Sequence, residues 1–293
     1  MPTTSSGSTL YGSDYNTVQT LVTEVLGSGL PYGPTGSGDV TYGYNQTPSS
    51  SLISAGSLVT AAQWNALAND INTCYQHQNN TNFSGYGAPY VNSGSVITAA
   101  KYNTLFTTMT GCVTNRTTVA SAQLGQTTQL TSIYGSTWGT SNHGITTNGT
   151  ISFASAAQLQ YFFNQGGSLI WQGLGPSSPS NTNSTAWQTM LSAFTYTLNL
   201  SQFALLTGTL TQVYYAATEP SPYSSSYIQL QMSVTGGTIT WFVTYQNNDS
   251  SGYAANTTVN AGVGYYIYQK TATGAFTGYS AGSVSGGTSW TTT

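Results

Sequence analysis

One segment of this chain occurs twice. Gly56-Ser57-Leu58-Val59-Thr60-Ala61-Ala62-Gln63-Trp64-Asn65-Ala66-Leu67 returns as Gly94-Ser95-Val96-Ile97-Thr98-Ala99-Ala100-Lys101-Tyr102-Asn103-Thr104-Leu105, displaced by 38 residues, and Cys74 maps onto Cys112 at the same displacement. Thr60 and Thr98 stand where a helix N-cap belongs, and Thr60 with Gln63 has the spacing of a capping box. Downstream, Trp64, Leu67, Ile71, Cys74 and Tyr75 form one apolar stripe at helical spacing, and Tyr102, Leu105, Phe106, Met109, Cys112 and Val113 form its counterpart. An earlier helix is expected over residues 15–26, where Val18, Leu21, Val22, Val25 and Leu26 share a face. Asp14 or Ser13 would cap that helix, and Gly27 would close it. A Gly-, Pro- and Tyr-rich loop over residues 28–57 follows. Residues 1–120 therefore read as a small three-helix unit for docking and assembly, with a duplicated helical hairpin at 56–78 and 94–116. Two copies are fewer than the roughly three that an open solenoid needs.

From about residue 120 the texture changes to short β-branched and aromatic runs between Gly, Asn, Ser and Pro clusters. Strands are expected at 149–153, 167–171, 227–234, 238–245 and 264–268. Ile228, Leu230, Met232 and Val234 alternate with polar residues, the period of a half-buried strand. Gly236-Gly237 predicts a hairpin to the next run. A helix is expected at 185–194 on the spacing of Trp187, Met190, Leu191 and Phe194, and residues 281–293 read as a flexible end or an extended arm. The expectation is an α+β chain in which residues 121–293 form an antiparallel β-sandwich.

Composition narrows the function. Charged residues make up 3% of the chain, with Lys and Arg numbering 3 and a net charge of -3. Three cations cannot neutralise the phosphates that a nucleic-acid binder engages, nor form a polybasic membrane patch. No apolar run is long enough to cross a bilayer as a helix. The start, Met1-Pro2-Thr3-Thr4-Ser5-Ser6, has neither a basic nor an apolar region, so no secretory leader is expected there. With 38% hydrophobic and 13% aromatic residues the chain is not disordered. Ser and Thr contribute about thirty per cent, so the polar surface is hydroxyl and amide rather than ionic. Such a surface lacks the like-charge repulsion that keeps proteins apart and suits a subunit held against its neighbours.

The titratable inventory is thin: Asp14, Glu24, Asp39, Asp70, Glu219, Asp249, His77, His143, Lys101, Arg116, Lys270, two Cys and the Tyr phenols. Asp14 fits a cap, Glu24 and Asp70 lie within helices, and Asp249 and Glu219 lie in loops, so no catalytic pair is expected. Cys74 and Cys112 read as buried structural thiols, with an interhelical disulfide as the alternative. No Cys/His spacing suggests zinc, and Gly33-Pro34-Thr35-Gly36-Ser37-Gly38 lacks the Lys of a phosphate loop. No catalytic, cofactor-binding or metal residue is assigned. Uncharged aromatic and amide side chains at Tyr42-Gly43-Tyr44-Asn45-Gln46, Ser221-Pro222-Tyr223-Ser224 and Gly264-Tyr265-Tyr266 would suit either glycan stacking or subunit contact, with subunit contact favoured.

The stretch Ile151-Ser152-Phe153-Ala154-Ser155-Ala156-Ala157-Gln158-Leu159-Gln160-Tyr161-Phe162-Phe163-Asn164-Gln165-Gly166-Gly167-Ser168-Leu169 resembles virion structural and tail-appendage proteins of tailed bacteriophages. Those proteins carry a Phe-Phe-Asn-x-Gly-Gly segment and then a Trp-containing helix, here Ala186-Trp187-Gln188-Thr189-Met190-Leu191. Val59-Thr60-Ala61-Ala62-Gln63-Trp64-Asn65-Ala66-Leu67 followed by Asp70-Ile71 is similar to theirs as well, and the matches touch residues 52–245. The relatives often place Arg in the strand after Gly-Gly, where this chain has Leu169-Ile170-Trp171. The resemblance implies a non-enzymatic subunit of the tail, neck or fibre apparatus, assembled in the host cytoplasm and localised to the virion. Its partners would be copies of itself, other virion proteins and host surface glycans, without nucleic acid or membrane insertion. A capsid decoration protein, a glycan-binding host-recognition adhesin, and a polysaccharide hydrolase using Glu219 and Asp249 are the alternatives.

Overall fold

The computed structural model describes residues 10–27, 43–54, 56–139, 143–217, 225–248, 258–272 and 281–292. Helices come first and antiparallel sheets after, so the chain is α+β. It divides into two compact units. One takes Met1–Gly125, Gln160–Gly166 and Thr271–Tyr279, and the other takes Gln126–Leu159, Gly167–Lys270 and Ser280–Thr293.

The first unit is built on α1 (Gly12–Leu26), α2 (Ala61–Asn79) and α3 (Ala99–Thr114). Thr60 Oγ1 accepts the Gln63 N–H at 3.2 Å while the Thr60 N–H donates to Gln63 Oε1 at 2.9 Å, closing the capping box. Thr98 caps α3 by a single bond, its Oγ1 accepting the Lys101 N–H at 3.4 Å. The start of α1 differs from expectation. Tyr11 is its N-cap, and Asp14, already inside the first turn, accepts the Tyr11 N–H at 2.8 Å. A carboxylate there also complements the helix dipole. Gly27 closes α1 by donating to the Thr23 carbonyl at 2.9 Å, and a Cβ at Gly27 would lie 2.6 Å from that oxygen.

Aligned on their N-caps, the three helices reveal a third copy that the sequence conceals. The fourth helical residues are Tyr15, Trp64 and Tyr102, and the fifth are Asn16, Asn65 and Asn103. Val18, Leu67 and Leu105, then Val22, Ile71 and Met109, then Val25, Cys74 and Cys112 follow at equivalent positions, all buried. These side chains form one core in which each helix packs on the other two.

The copies are not hairpins. Tyr15 Oη donates to the Gln63 carbonyl at 3.3 Å, and Asn65 and Lys101 both reach the segment at 90–91, so the helix N-termini gather at one end. At the other end, Gln78 Nε2 donates to the Cys112 carbonyl at 2.8 Å and Arg116 pairs with Glu24 at 3.2 Å. The three helices therefore run parallel. Tandem units related by rotation about the helix direction must point the same way, and the connections are long enough to allow it. The 19 residues of α2 span about 28 Å, which about nine extended residues can retrace.

Side-chain amides fasten these returning segments. Asn16 Nδ2 donates to the Ile53 carbonyl and its Oδ1 accepts the Ile53 N–H, both at 2.9 Å; Asn65 holds Val91 identically, both at 3.0 Å. Asp70 accepts from the N–H and Oγ of Ser49 and of Ser50, at 2.6–3.1 Å, which makes its buried carboxylate structural.

In the second unit, β1 (Leu124–Tyr134), β3 (Ser168–Leu174), β4 (Thr195–Leu198) and β8 (Val263–Ala272) form a four-stranded sheet ordered β1-β8-β3-β4. A six-stranded sheet contains β2 (His143–Ser152), β5 (Thr211–Ala217), β6 (Tyr227–Thr235), β7 (Thr238–Asn247), β9 (Ser283–Gly286) and β10 (Thr291–Thr292). Its order is β10-β2-β7-β6-β5, with β9 also on β2. The sheets pack face to face as a sandwich. Trp241 of β7 meets Trp171 of β3 and Tyr265 of β8, with ring centroids 6.5 and 5.6 Å apart. The expected hairpin joins β6 to β7 with Thr235 opposite Thr238, and a φ of +57° at Gly236 explains the glycine. A Cβ at Gly237 would lie 2.7 Å from the Ser155 backbone, so its glycine is needed for close approach.

The helix expected at 185–194 is α5 (Thr182–Ala193), capped by Asn181. Sequence reading did not foresee α4 (Ala156–Asn164) or the single-turn α6 (Leu200–Phe203). The tail is an extended arm: it supplies β9 and β10, and Trp290 packs on Tyr134, Tyr245 and Tyr265 while donating to Ser132 Oγ at 3.0 Å.

Removing an amide clamp leaves a buried N–H and C=O without a partner, at about 1–3 kcal/mol. Asn16→Ala and Asn65→Ala should each lower the urea midpoint by that equivalent. Asn79→Ala, which loses one exposed bond to the Tyr75 carbonyl, should change stability by less than about 0.5 kcal/mol.

Candidate assembly surface

Strand alternation separates two faces of the six-stranded sheet. Ile228, Leu230 and Met232 of β6 and Ile239, Trp241, Val243 and Tyr245 of β7 are fully buried in the sandwich. Their alternate neighbours face away, and the strand register sets them in rows. Thr146, Thr244, Gln229 and Tyr215 form one row, and Asn148, Phe242, Gln231 and Gln212 the next. Thr150, Thr240 and Ser233 form a third, Ser152, Thr238 and Thr235 a fourth, and Gln246, Tyr227 and Ala217 a fifth. None of these side chains carries a charge.

Neutral contacts knit the rows together. The hydroxyls of Thr146 and Thr244, and those of Ser152 and Thr238, lie 3.3 Å apart. Gln229 Nε2 donates to Gln212 Oε1, and the Tyr215 and Tyr227 rings pack with centroids 5.2 Å apart. Amides and hydroxyls both donate and accept, so this face can match another of its own kind without meeting ionic repulsion.

The helical unit offers a smaller apolar display. Leu58 and Val96, two residues before the caps of α2 and α3, occupy equivalent positions and are 90% and 79% exposed. Their followers, Val59 and Ile97, pack onto the core. Each copy thus buries one apolar residue ahead of its cap and projects another.

Compared with known proteins, the chain matches no family model, no curated protein sequence and no solved structure.

Among the described residues, the titratable groups are spread over separate elements. Asp14, Asp70, Glu24 and Arg116 serve the helical unit as described, and Lys101 Nζ donates to the Tyr90 carbonyl at 2.6 Å. His143 opens β2, and Lys270 lies on β8 opposite Ser168. Asp39, Glu219 and Asp249 lie outside the described residues, as do Gly33–38 and the candidate glycan segment at 221–224. In the two other glycan segments, Tyr44 and Tyr265 are corrected, while Tyr42 lies outside the described residues and Tyr266 is half-buried. Tyr44 is buried with its hydroxyl on the Arg116 carbonyl at 2.6 Å, and Tyr265 is buried with its hydroxyl on the Gly287 carbonyl at 2.9 Å. Both are core residues rather than stacking platforms. No group of three or more His, Cys, Asp or Glu that could hold a metal occurs among the described residues.

Cys74 and Cys112 are buried thiols, with no disulfide between them. Burial pushes the Cys112 thiol up to about 12 and Cys74 well above its usual value, so neither is a ready nucleophile. The matching position in the first copy is Val25, which identifies both as small apolar fillers. His77 is buried against the Tyr44 ring, with centroids 4.4 Å apart. Burial lowers its pKa from 6.5 to about 4, against the opposing effect of a backbone hydrogen bond with Gln165.

The depressed His77 value makes stability depend on pH. The unfolded chain takes up this proton near pH 6.5 and the folded chain only near 4, so stability falls as pH drops between those values. The full difference is about 3 kcal/mol. His77→Gln should flatten the fall in chemical-denaturation free energy between pH 7 and pH 4 by an amount of that order.

Proposed function

We propose that this chain is a structural subunit that works by multi-copy assembly and attachment rather than by catalysis. The observation carrying this reading is the outer face of β2, β7, β6 and β5, where five rows of side chains contain amides, hydroxyls and aromatics and no ion. An isolated soluble domain ordinarily spreads charge over such a face; a subunit that keeps it covered has no need to. The exposed Leu58 and Val96 add a second surface suited to docking on a companion protein.

The setting proposed is the virion of a tailed bacteriophage, in its tail, neck or fibre apparatus, with assembly in the host cytoplasm. Support comes from the resemblance carried by Phe162-Phe163-Asn164-Gln165-Gly166-Gly167 and by the segment at 59–71. Within the first unit, that former segment does structural work. Asn164 and Gln165 donate to the Gly43 and Tyr44 carbonyls, and Gly166, at φ +76°, passes so close to Val119 that a Cβ would overlap it.

Light scattering of the purified chain should give a defined multiple of 30.7 kDa. Gln231→Lys with Thr240→Lys sets unpaired charges at the middle of the face. The pair should dissociate the assembly by about 100-fold or more while leaving the melting temperature within a few degrees. A wild-type chain that stays a single copy at high concentration would refute the reading.

A further inference from the structure

We infer that β5 pairs antiparallel with β5 of a second copy about a twofold axis at Tyr215, joining the two six-stranded sheets. This rests on the assembly reading and names its first contact.

β5 ends its sheet, and among the described residues its backbone bonds only to β6. Alternate N–H and C=O groups along its other side therefore call for an extended strand as partner. Natural edges discourage that partner with Lys, Pro or inward-pointing charge, and Thr211-Gln212-Val213-Tyr214-Tyr215-Ala216-Ala217 has none of these. Its single irregularity falls between Gln212 and Tyr214, which leaves Tyr214 to Ala217 in regular register.

The other sheet ends are poorer templates. β4 and β9 have four residues each and β10 two, while β1 is flanked at its end by the arm, where Ser132 Oγ donates to the Gly287 carbonyl and Tyr134 packs on Trp290.

Symmetry then limits the register to those that oppose one residue of the strand to its own twin. A twofold perpendicular to the sheet keeps each face on its own side, so residues opposed across the axis must share a face. Centring on Tyr215 opposes Tyr214 to Ala216 of the second copy, both on the inner side, and Tyr215 to itself on the outer side. Tyr215 is 51% exposed with its ring against Tyr227, and this register sets it against its twin, gathering four tyrosines about the axis. An unrelated strand would meet the backbone as well but would not supply that ring, which argues for a second copy as the occupant.

The test uses the full chain. Tyr215→Cys under mild oxidation by diamide should link into a covalent dimer, whereas wild type, with Cys74 and Cys112 buried, should not. Thr128→Cys on β1 should stay monomeric on a denaturing gel. Tyr215→Lys opposes like charges across the axis and should weaken self-association about 100-fold, with its thermal melt unchanged. Cross-linking through Thr128→Cys in place of Tyr215→Cys, or an oligomer untouched by Tyr215→Lys, overturns β5 pairing while the assembly reading stands. A wild-type chain that never self-associates overturns both.

Discussion

A backbone segment that runs back along a helix leaves its N–H and C=O groups open, and in this protein side-chain amides close them. Asn16 and Asn65 each hold one residue by both groups, Gln19 donates to the Ser50 carbonyl, and Gln165 donates to the Tyr44 carbonyl. The sandwich uses the same device at Asn247. Its Nδ2 meets the Gly139 carbonyl, and its Oδ1 accepts from Asn183, Trp187 and Ser226. Among the described residues the one ion pair is Glu24 with Arg116. Neutral hydrogen bonds are little affected by salt, and their fixed geometry specifies which segment lies where. Asp70 on Ser49 and Ser50 and Lys101 on Tyr90 are the charged exceptions, so the fastenings of the interior, like the surface, are mainly neutral.

Much of the fold was legible because it rests on short-range pattern. The caps at Thr60 and Thr98, the apolar stripes below them, the strands on either side of Gly236-Gly237 and the helix around Trp187 all follow from spacing within a dozen residues. What was not legible depends on distant partners. The third copy hides because only Tyr15-Asn16 and the apolar spacing survive in α1; a search for aromatic–Asn pairs ahead of an apolar stripe would have found it. Helix direction was misjudged because a hairpin and a returning connection look alike until the Asn clamps are seen. α4 was missed because Ala156 to Asn164 follows a strand directly and reads as more of the same apolar texture.

The candidate surface was legible in character but not in place. Composition announced a coat of hydroxyls and amides, whereas the rows through Phe242 and Thr240 require the register of four strands. The tyrosine segments favoured for outward contact were misjudged at Tyr44 and Tyr265 because Tyr is amphipathic. Each ring is buried while its hydroxyl finds a carbonyl, which composition cannot distinguish from exposure.

The parallel course of α1, α2 and α3 also bears on how the chain reaches its native state. An up-and-down bundle gains contacts as soon as neighbouring helices fold back, but here every helix must wait for a connecting stretch to retrace its whole length. Loop-closure entropy is therefore spent before the packing returns it, and the macrodipoles align instead of cancelling. A bundle of this kind should cross its folding barrier more slowly than its modest size and helical content would imply.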